Sequence, residues 1–133
     1  MQGRFLFPCQ LYLDYLDINN SELESYAYSL MNNSKGRNLT NKGGWQSEFV
    51  DTKQEMQELV DTINNKLEML REVYKFKDKH VLKVESMWIN INFPNSYNSR
   101  HTHPDSYISG TYYVRVPENK TLMVSFLLNC LKN

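Results

Sequence analysis

The spacing of the apolar residues changes near residue 80, and this change constrains the fold more than any other feature of the sequence. Over residues 20–33 and about 53–75, apolar side chains recur every three or four residues, as on one face of a helix. Over about 84–93 and 107–116 they alternate with polar side chains, as in a strand, and a last apolar stretch at 122–128 predicts a further strand. Helices followed by a run of antiparallel strands are typical of the α+β class, so we predict two helices packed against one sheet.

Local signals indicate where the helices begin. Each helical segment opens with a capping-box pattern, Ser21-x-x-Glu24 and Thr52-x-x-Glu55, in which the paired side chains can satisfy free backbone N–H groups. The stretch between the helices, NNSKGRNLTNKGG at 32–44, is rich in Gly, Asn and Ser, which disfavour regular structure.

Composition and charge exclude several classes of function. The chain has 15 Lys and Arg against 15 Asp and Glu, so it has no basic field to attract nucleic acid. Its apolar stretches are shorter than the roughly 20 residues that cross a bilayer. Cys9 and Cys130 lie far apart, and no signal peptide pattern precedes them. We therefore predict a soluble cytoplasmic protein with reduced thiols, a single domain over residues 1–133, and neither a nucleic-acid nor a membrane partner.

Each of the two central strands has one polar face. The first strand alternates Trp88, Asn90 and Asn92 with Ile89, Ile91 and Phe93, and the second alternates Ser109, Thr111, Tyr113 and Arg115 with Tyr112, Val114 and Val116. Asn is depleted in strands, so two asparagines on one strand face are unusual. They indicate either a wet face lined for a ligand or a surface open to solvent, and the pattern leaves both open.

The loop between these strands contains two of the three histidines, as His101-Thr102-His103. On an extended backbone residues i and i+2 point the same way, so both imidazoles can reach one metal ion, and imidazole suits Fe, Zn, Cu or Ni. The overlapping His103-Pro104-Asp105 offers a second spacing, in which the second ligand is a carboxylate. The pattern alone leaves a metal site and two surface histidines both open.

Several short motifs occur together in one order: LFP near the start, TNKGGWQS at 40–47, WININ at 88–92, HTHP at 101–104 and SGTYYVRVPE from Ser109. In this combination the chain resembles, from about Phe5 to Glu118, a family of 2-oxoglutarate- and iron(II)-dependent oxygenases common in marine phages and bacteria and related to the prolyl hydroxylases. The resemblance implies a double-stranded β-helix, or jelly roll, braced by two N-terminal helices. It also implies an enzyme, a hydroxylase-type dioxygenase that uses Fe(II), 2-oxoglutarate and O₂ on an unknown substrate.

The resemblance implies roles for individual residues. His101 matches the first iron ligand of the family, and His103 stands where the prolyl hydroxylases have a carboxylate. We prefer this pair as metal ligands because HxHP is the pattern of the nearer family, and Asp105 is the second choice. Tyr113 matches a tyrosine that holds the distal carboxylate of 2-oxoglutarate in prolyl-hydroxylase-like enzymes.

Two further residues are expected to line the 2-oxoglutarate pocket. Ser109 shares a strand face with the matched tyrosine, and Asn90 lies on the polar face of the preceding strand. Both are therefore candidate cofactor-binding residues alongside Tyr113.

The resemblance ends before the last part of the family's fold. Complete members supply from that part a distal histidine, which is the third iron ligand, and a basic residue that pairs with 2-oxoglutarate, whereas His80 precedes the strands here. We therefore expect the N-terminal portion of an oxygenase fold, a partial jelly roll with impaired activity and unpaired sheet edges that can support a homo-oligomer. The alternative is a non-catalytic remnant, or a phage structural or binding module on the same scaffold, which would lie in the host cytoplasm.

Overall fold

The chain forms an α+β structure in the computed structural model, which describes residues 10–75, 81–116 and, for the backbone, 123–132. The helices are α1 (Asn20–Asn33) and α2 (Gln57–Tyr74), and a 3₁₀ turn at Gln54–Met56 leads into α2. The strands are β1 (Asn41–Lys42), β2 (Trp45–Gln46), β3 (Leu82–Asn92), β4 (Tyr97–Asn98), β5 (Ile108–Arg115) and β6 (Met123–Lys132). The predicted helices, the predicted strands and the α+β class are confirmed. The LFP motif at 6–8, Cys9 and His80 lie outside the described residues.

The helices begin differently from the predicted capping boxes. The cap of α1 is Asn19, whose Oδ1 accepts from the Ser21 N–H at 3.2 Å and whose Nδ2 donates to Glu22 at 2.7 Å. Before α2, the Asp51 carboxylate accepts from the Lys53 N–H at 3.0 Å, and no side chain caps the helix itself. Both capping boxes are wrong because an upstream Asn or Asp competes for the free N–H groups. Neither helix has the length and hydropathy that crossing a bilayer requires.

Strand β3 is the central element of the larger sheet. The sheet has the order β2-β3-β6-β5 and is antiparallel throughout, while β1 and β4 form a separate antiparallel ribbon. Strand β3 pairs with β6 along its length and with the short β2 on its other side. Strand β5 is an edge strand in the part of the sheet that the structure describes.

One face of this sheet packs against both helices and forms the hydrophobic core. Strand β3 contributes Met87, Ile89 and Ile91, each with 0% of its surface exposed. The helices and the 3₁₀ turn contribute Leu23, Ala27, Met56, Leu59, Val60 and Leu67. Burying an apolar side chain of this size stabilises a protein by about 1.5–3 kcal/mol, so this face holds the sheet on the helices. Phe93, which was predicted to share the face, lies beyond the end of β3 and is 43% exposed.

A β-bulge in β5 reverses the predicted orientation of Arg115. The register with β6 shifts between Tyr113 and Arg115, so β5 carries one extra residue there. Val114 is buried in the core, and Arg115 Nη1 donates to Glu24 Oε1 of α1 at 2.6 Å. Both residues therefore face the helices, and the prediction that Arg115 shares a face with Tyr113 is wrong.

Tyr112 attaches β5 to α1 from the same side of the sheet. Its hydroxyl donates to Asn20 Oδ1 at 2.7 Å. Burial raises the pKa of Tyr112, so the phenol stays protonated and remains a donor at neutral pH. The contact fixes the orientation of β5, and with it the residues on the opposite face.

A matched pair of methionines tests the assignment of the core. Met87→Ala should lower the free energy of unfolding by about 2–5 kcal/mol, because it removes a fully buried side chain and leaves a cavity. Met69→Ala on α2, where the side chain is 67% exposed, should change it by about 0.5 kcal/mol or less. Urea denaturation followed by circular dichroism measures both, and equal losses would contradict the assigned core.

Candidate metal centre and polar sheet face

The face of the sheet opposite the helices carries polar and aromatic side chains, and we call it the polar face. Its members on β2, β3 and β5 are Gln46, Lys83, Ser86, Trp88, Asn90, Asn92, Ser109, Thr111 and Tyr113. In register, Gln46 lies opposite Asn90, and Ser125 of β6 is the partner of both Asn90 and Tyr113. Directly opposed residues share a face, so Tyr113, Asn90 and Gln46 belong to one row across the sheet.

The GGWQS motif at 43–47 seats β2 against β3. A Cβ on Gly44 would lie 2.7 Å from Asn92 Oδ1 and 2.8 Å from the Ile91 carbonyl oxygen, so the close approach of the strands requires glycine there. Ser47 Oγ accepts from the Ile89 N–H at 2.9 Å, just where the pairing of β2 ends. Between them, the alternation of a strand sends Gln46 to the polar face.

Trp45 is the residue of the motif that faces the core. Its side chain is 8% exposed, and its Nε1 donates to the Ser34 carbonyl oxygen at 3.1 Å. A buried indole whose N–H is bonded is a packing residue, so the motif divides into an anchor at Trp45 and a polar-face residue at Gln46.

The amides of the polar face are buried and lack hydrogen-bond partners for their oxygens. Gln46, Asn90 and Asn92 are 5%, 1% and 7% exposed. Gln46 Oε1, Asn90 Oδ1 and Asn92 Oδ1 have no partner among the described residues. Such atoms lose their hydration without compensation, at a cost of about 1–3 kcal/mol each. The asparagines are therefore not on a surface open to solvent, and the first interpretation, a ligand-lined face, is the one that the burial favours.

The two histidines of the loop lie side by side above this face. The chain reverses after β3, and the His103 ring stacks on the Trp88 ring with centroids 5.4 Å apart and an interplanar angle of 21°. The His101 ring is 4.7 Å from that of His103. The loop is tied back by its own backbone, since the Ser99 N–H donates to the Thr40 carbonyl oxygen at 2.8 Å.

One hydrogen bond sets the tautomer of His101. Its Nδ1 is 2.8 Å from the Ser99 carbonyl oxygen, and a carbonyl can only accept, so Nδ1 carries the proton. The lone pair is then on Nε2, the atom that is left to ligate a metal. A histidine held through a backbone carbonyl in this way has the second hydrogen bond usual for metal ligands.

Asp105 occupies a turn rather than an extended segment. The Ser106 N–H approaches the His103 carbonyl oxygen at 3.4 Å, Pro104 is the second residue of the turn, and Asp105 has φ of 67°. This arrangement, Pro followed by a residue with positive φ, is that of a type II turn. The alignment of side chains i and i+2 requires an extended backbone, so the His103-x-Asp105 pairing lacks the geometry on which it was based.

An aromatic residue and a cation border the polar face next to Trp88. Phe49 contacts Trp88 edge to face at 6.1 Å and is 63% exposed. The Arg37 guanidinium lies 5.4 Å from the Phe49 ring centroid and pairs with Glu48 at 3.4 Å. The charge at this border is therefore balanced, and Phe49 offers an open apolar contact beside the histidines.

In the described residues, the histidine pair is not part of a larger cluster of metal-binding side chains. The described ranges contain no group of three or more His, Cys, Asp or Glu residues able to hold one ion. Two neighbouring imidazoles, one with its tautomer fixed, fit two nitrogen ligands of an iron site. Sequence reasoning did not assign Gln46 to the polar face, because the two residues of β2 are too few to show alternation.

Comparison with known proteins finds a family that is similar to part of the chain. The family model described as "Putative 2OG-Fe(II) oxygenase" matches residues 86–127, which include the polar side chains of β3 and β5 and the histidine loop. The match supports the predicted resemblance to the 2-oxoglutarate- and iron(II)-dependent oxygenases over that segment, which is about a third of the chain. No curated protein and no solved structure shows significant similarity to the chain.

A serine in the GGWQS motif offers a test of how β2 is held. Ser47→Ala should lower the free energy of unfolding by about 1–3 kcal/mol, because the Ile89 N–H loses its acceptor inside the fold. Ser29→Ala on the exposed side of α1 should change it by about 0.5 kcal/mol or less. Chemical denaturation of both variants gives the comparison, and an unchanged Ser47→Ala would mean that this bond does not anchor β2.

Proposed function

We propose that the chain is an oxygenase domain that uses Fe(II) and 2-oxoglutarate, with its site on the polar face beneath the histidine loop. The observation that carries this proposal is the His101–His103 pair stacked over Trp88 within the segment that matches the oxygenase family. The family match supports the oxygenase activity, and the two imidazoles provide nitrogen ligands of the kind that an iron site needs. The jelly-roll scaffold and the hydroxylase-type reaction are part of the same proposal.

The protein's contribution to metal binding is the pair of imidazoles. His101 would ligate through Nε2, since its Nδ1 proton is bound to the Ser99 carbonyl oxygen. His103 would be the second ligand, with its ring orientation set by stacking on Trp88. Bound Fe(II) would supply the redox chemistry by which 2-oxoglutarate and O₂ oxidise a C–H bond of the substrate.

Binding of 2-oxoglutarate is proposed for the row that crosses the sheet. The Tyr113 hydroxyl would donate to the distal carboxylate, and Ser109, about 13 Å away along the same face of β5, would line the opposite end of the pocket. Asn90 lies in the same row nearer the histidines, and its amide N–H groups can donate to the bound molecule. The three residues would thus orient the molecule between the edge strand and the metal.

The buried Trp88 would exclude water from the side of the pair that faces the sheet, whereas His101 is exposed on the other side. Trp88 is 7% exposed and covered by Phe49 and His103. An apolar surface that excludes water, such as the Trp88 ring, strengthens electrostatic interactions and protects reactive species from side reactions. Cytoplasmic localisation and association through the edge strand β5 remain predictions.

Metal titration of single variants tests the ligand assignment. His101→Ala and His103→Ala should each weaken anaerobic Fe(II) binding by about tenfold or more, because each removes a donor atom. Asp105→Ala should leave the binding isotherm unchanged, since that residue lies in the turn. A loss with Asp105→Ala that equals the loss with His103→Ala would instead support the His-x-Asp spacing.

The third histidine of the chain provides the control for this titration. His80→Ala should retain Fe(II) binding if the pair in the loop is the site. Weaker binding by His80→Ala would identify a further ligand, whereas unchanged binding in all the histidine variants would remove the metal centre and leave a non-catalytic binding module.

A tyrosine substitution tests the 2-oxoglutarate site. Tyr113→Phe should weaken 2-oxoglutarate binding by about tenfold or more, because a hydrogen bond to a charged group contributes about 1.5–3 kcal/mol. Tyr15→Phe, at a side chain that is 98% exposed, is the matched control and should bind like the unmodified protein. Calorimetry with Mn(II) in place of Fe(II) measures binding without turnover, and equal affinities for the two variants would contradict the role of Tyr113.

A further inference from the structure

The inference concerns Gln46 and Asn90, which we call the amide pair. They lie directly opposite each other on β2 and β3, so their Cβ atoms are about 4.5–5.5 Å apart. Both side chains are at least nine-tenths buried, at 5% and 1% exposure, and both amide oxygens lack a partner among the described residues. Native proteins satisfy nearly all such atoms, so a donor that the protein does not supply is expected at this place.

The missing groups are donors, which restricts the ligand. The unpartnered atoms are carbonyl oxygens, and a carbonyl oxygen only accepts hydrogen bonds. At neutral pH 2-oxoglutarate presents only acceptors, namely two carboxylates and a keto oxygen, so it cannot satisfy them. The oxygens of the amide pair therefore point to the substrate rather than to the co-substrate.

The charge of the surroundings restricts the ligand further. The side chains that β2, β3 and β5 contribute to the polar face around the amide pair are uncharged, and Lys83, at the far end of β3, is paired with Glu85 at 3.6 Å. At the border of this face, Arg37 is already paired with Glu48. A phosphate or carboxylate placed at the buried amide pair would be desolvated without a compensating cation, which is unfavourable, whereas Tyr113 at the other end of the row is 53% exposed. An uncharged group that donates is the chemistry that fits.

An amide fits this requirement better than an isolated hydroxyl. A primary amide side chain has an acceptor and donors side by side, and it can form two parallel hydrogen bonds with another amide group. Two such side chains on neighbouring strands can bind a primary carboxamide, because its NH₂ group can donate to both oxygens. A single hydroxyl, like the single N–H of a peptide, donates once and leaves one of the two oxygens unsatisfied.

The amide pair is also suitably placed relative to the histidines. Asn90 follows Trp88 by two residues on the same face, which corresponds to about 6.6 Å along the strand. His103 stacks on Trp88, so a ligand held by the pair would lie beside the proposed metal. Tyr113 is two strands from Asn90 on the side away from Gln46, at about 10 Å. Asn90 therefore stands between the proposed co-substrate site and Gln46.

We propose that Gln46 and Asn90 form a substrate subsite beside the histidine pair that recognises an uncharged primary carboxamide, whose NH₂ group supplies the two donors. The inference rests on the proposed oxygenase function for the words substrate and co-substrate, but the binding of an amide does not need the metal. Gln46 accepts from the substrate alone. Asn90 accepts from the substrate through Oδ1 and can donate to 2-oxoglutarate through Nδ2.

The test uses the side-chain NH₂ signals of the ¹⁵N-labelled, metal-free chain, with N-acetylglycinamide as the probe. The probe should shift the Gln46 and Asn90 NH₂ resonances in a saturable way, and 2-oxoglutarate should shift resonances around Tyr113 without moving those of Gln46. Gln46→Met, of similar shape but without the amide, should weaken probe binding at least tenfold. Gln57→Met is the matched control, because Gln57 is exposed and donates to Asp61 at 2.8 Å on α2.

A second variant guards against a folding defect in the first. Gln46→Asn keeps the uncharged amide acceptor on a side chain one methylene shorter, so it should lose less probe affinity than Gln46→Met. Dispersed spectra establish that each variant is folded.

Four outcomes separate the inference from the function on which it rests. Gln46-dependent binding of the probe supports the subsite, even if Fe(II) and 2-oxoglutarate leave the loop and Tyr113 unchanged and the oxygenase proposal fails. Shifts of Gln46 with 2-oxoglutarate but not with the probe overturn the subsite. No shift with either, at high millimolar probe, overturns it also and means that water satisfies the pair. Equal loss with Gln57→Met would show a nonspecific effect and count against it.

Discussion

Burial of β3 on both of its faces is the constraint on which the rest of the structure depends. On one face Ile89 and Ile91 pack under the helices, and on the other Asn90 and Asn92 are equally inaccessible. An apolar side chain buried there would stabilise the fold by about 1.5–3 kcal/mol, whereas an unsatisfied amide costs about 1–3 kcal/mol. Stability alone would therefore favour valine or isoleucine at both amide positions. Residues that break a local rule at this cost are expected at functional sites.

Alternation along single strands could be predicted from sequence because it depends only on backbone geometry. It assigned Trp88 and Asn90 to one face and the isoleucines to the other, and the register of the sheet agrees. The prediction failed where the backbone departs from the regular strand, at the β5 bulge that turns Arg115 to Glu24 and at Phe93 beyond the end of β3. A bulge arises from the pairing of a strand with its partner, so the alternation of residues in one strand does not reveal it.

A departure from extended backbone also distinguishes the two possible ligand spacings in the loop. Both His101-x-His103 and His103-x-Asp105 satisfy the same parity argument, so sequence spacing could not separate them. Pro104 presets the second position of a turn, and the positive φ of Asp105 completes that turn. The proline was therefore the local signal against the carboxylate. Stacking on Trp88, by contrast, joins residues that are distant in sequence, and only the fold brings them together.

The proposed role of Gln46 depends on a pairing over a longer sequence separation, that of β2 with β3. The same pairing would allow one strand face to bind two ligands. A two-residue strand has almost no alternation of its own, so its register must be set by contacts such as Gly44 against Asn92 and Ser47 against Ile89. Once that register is fixed, Asn90, whose amide both donates and accepts, has Gln46 on one side and the Tyr113 phenol two strands away on the other. An anionic co-substrate needs donors and an uncharged amide needs acceptors as well. The row runs from the Tyr113 hydroxyl through Asn90 to the Gln46 amide, so it can direct the two molecules to opposite sides of the histidines without a charged side chain in the row. Asn90, at its centre, is the residue that would contact both molecules.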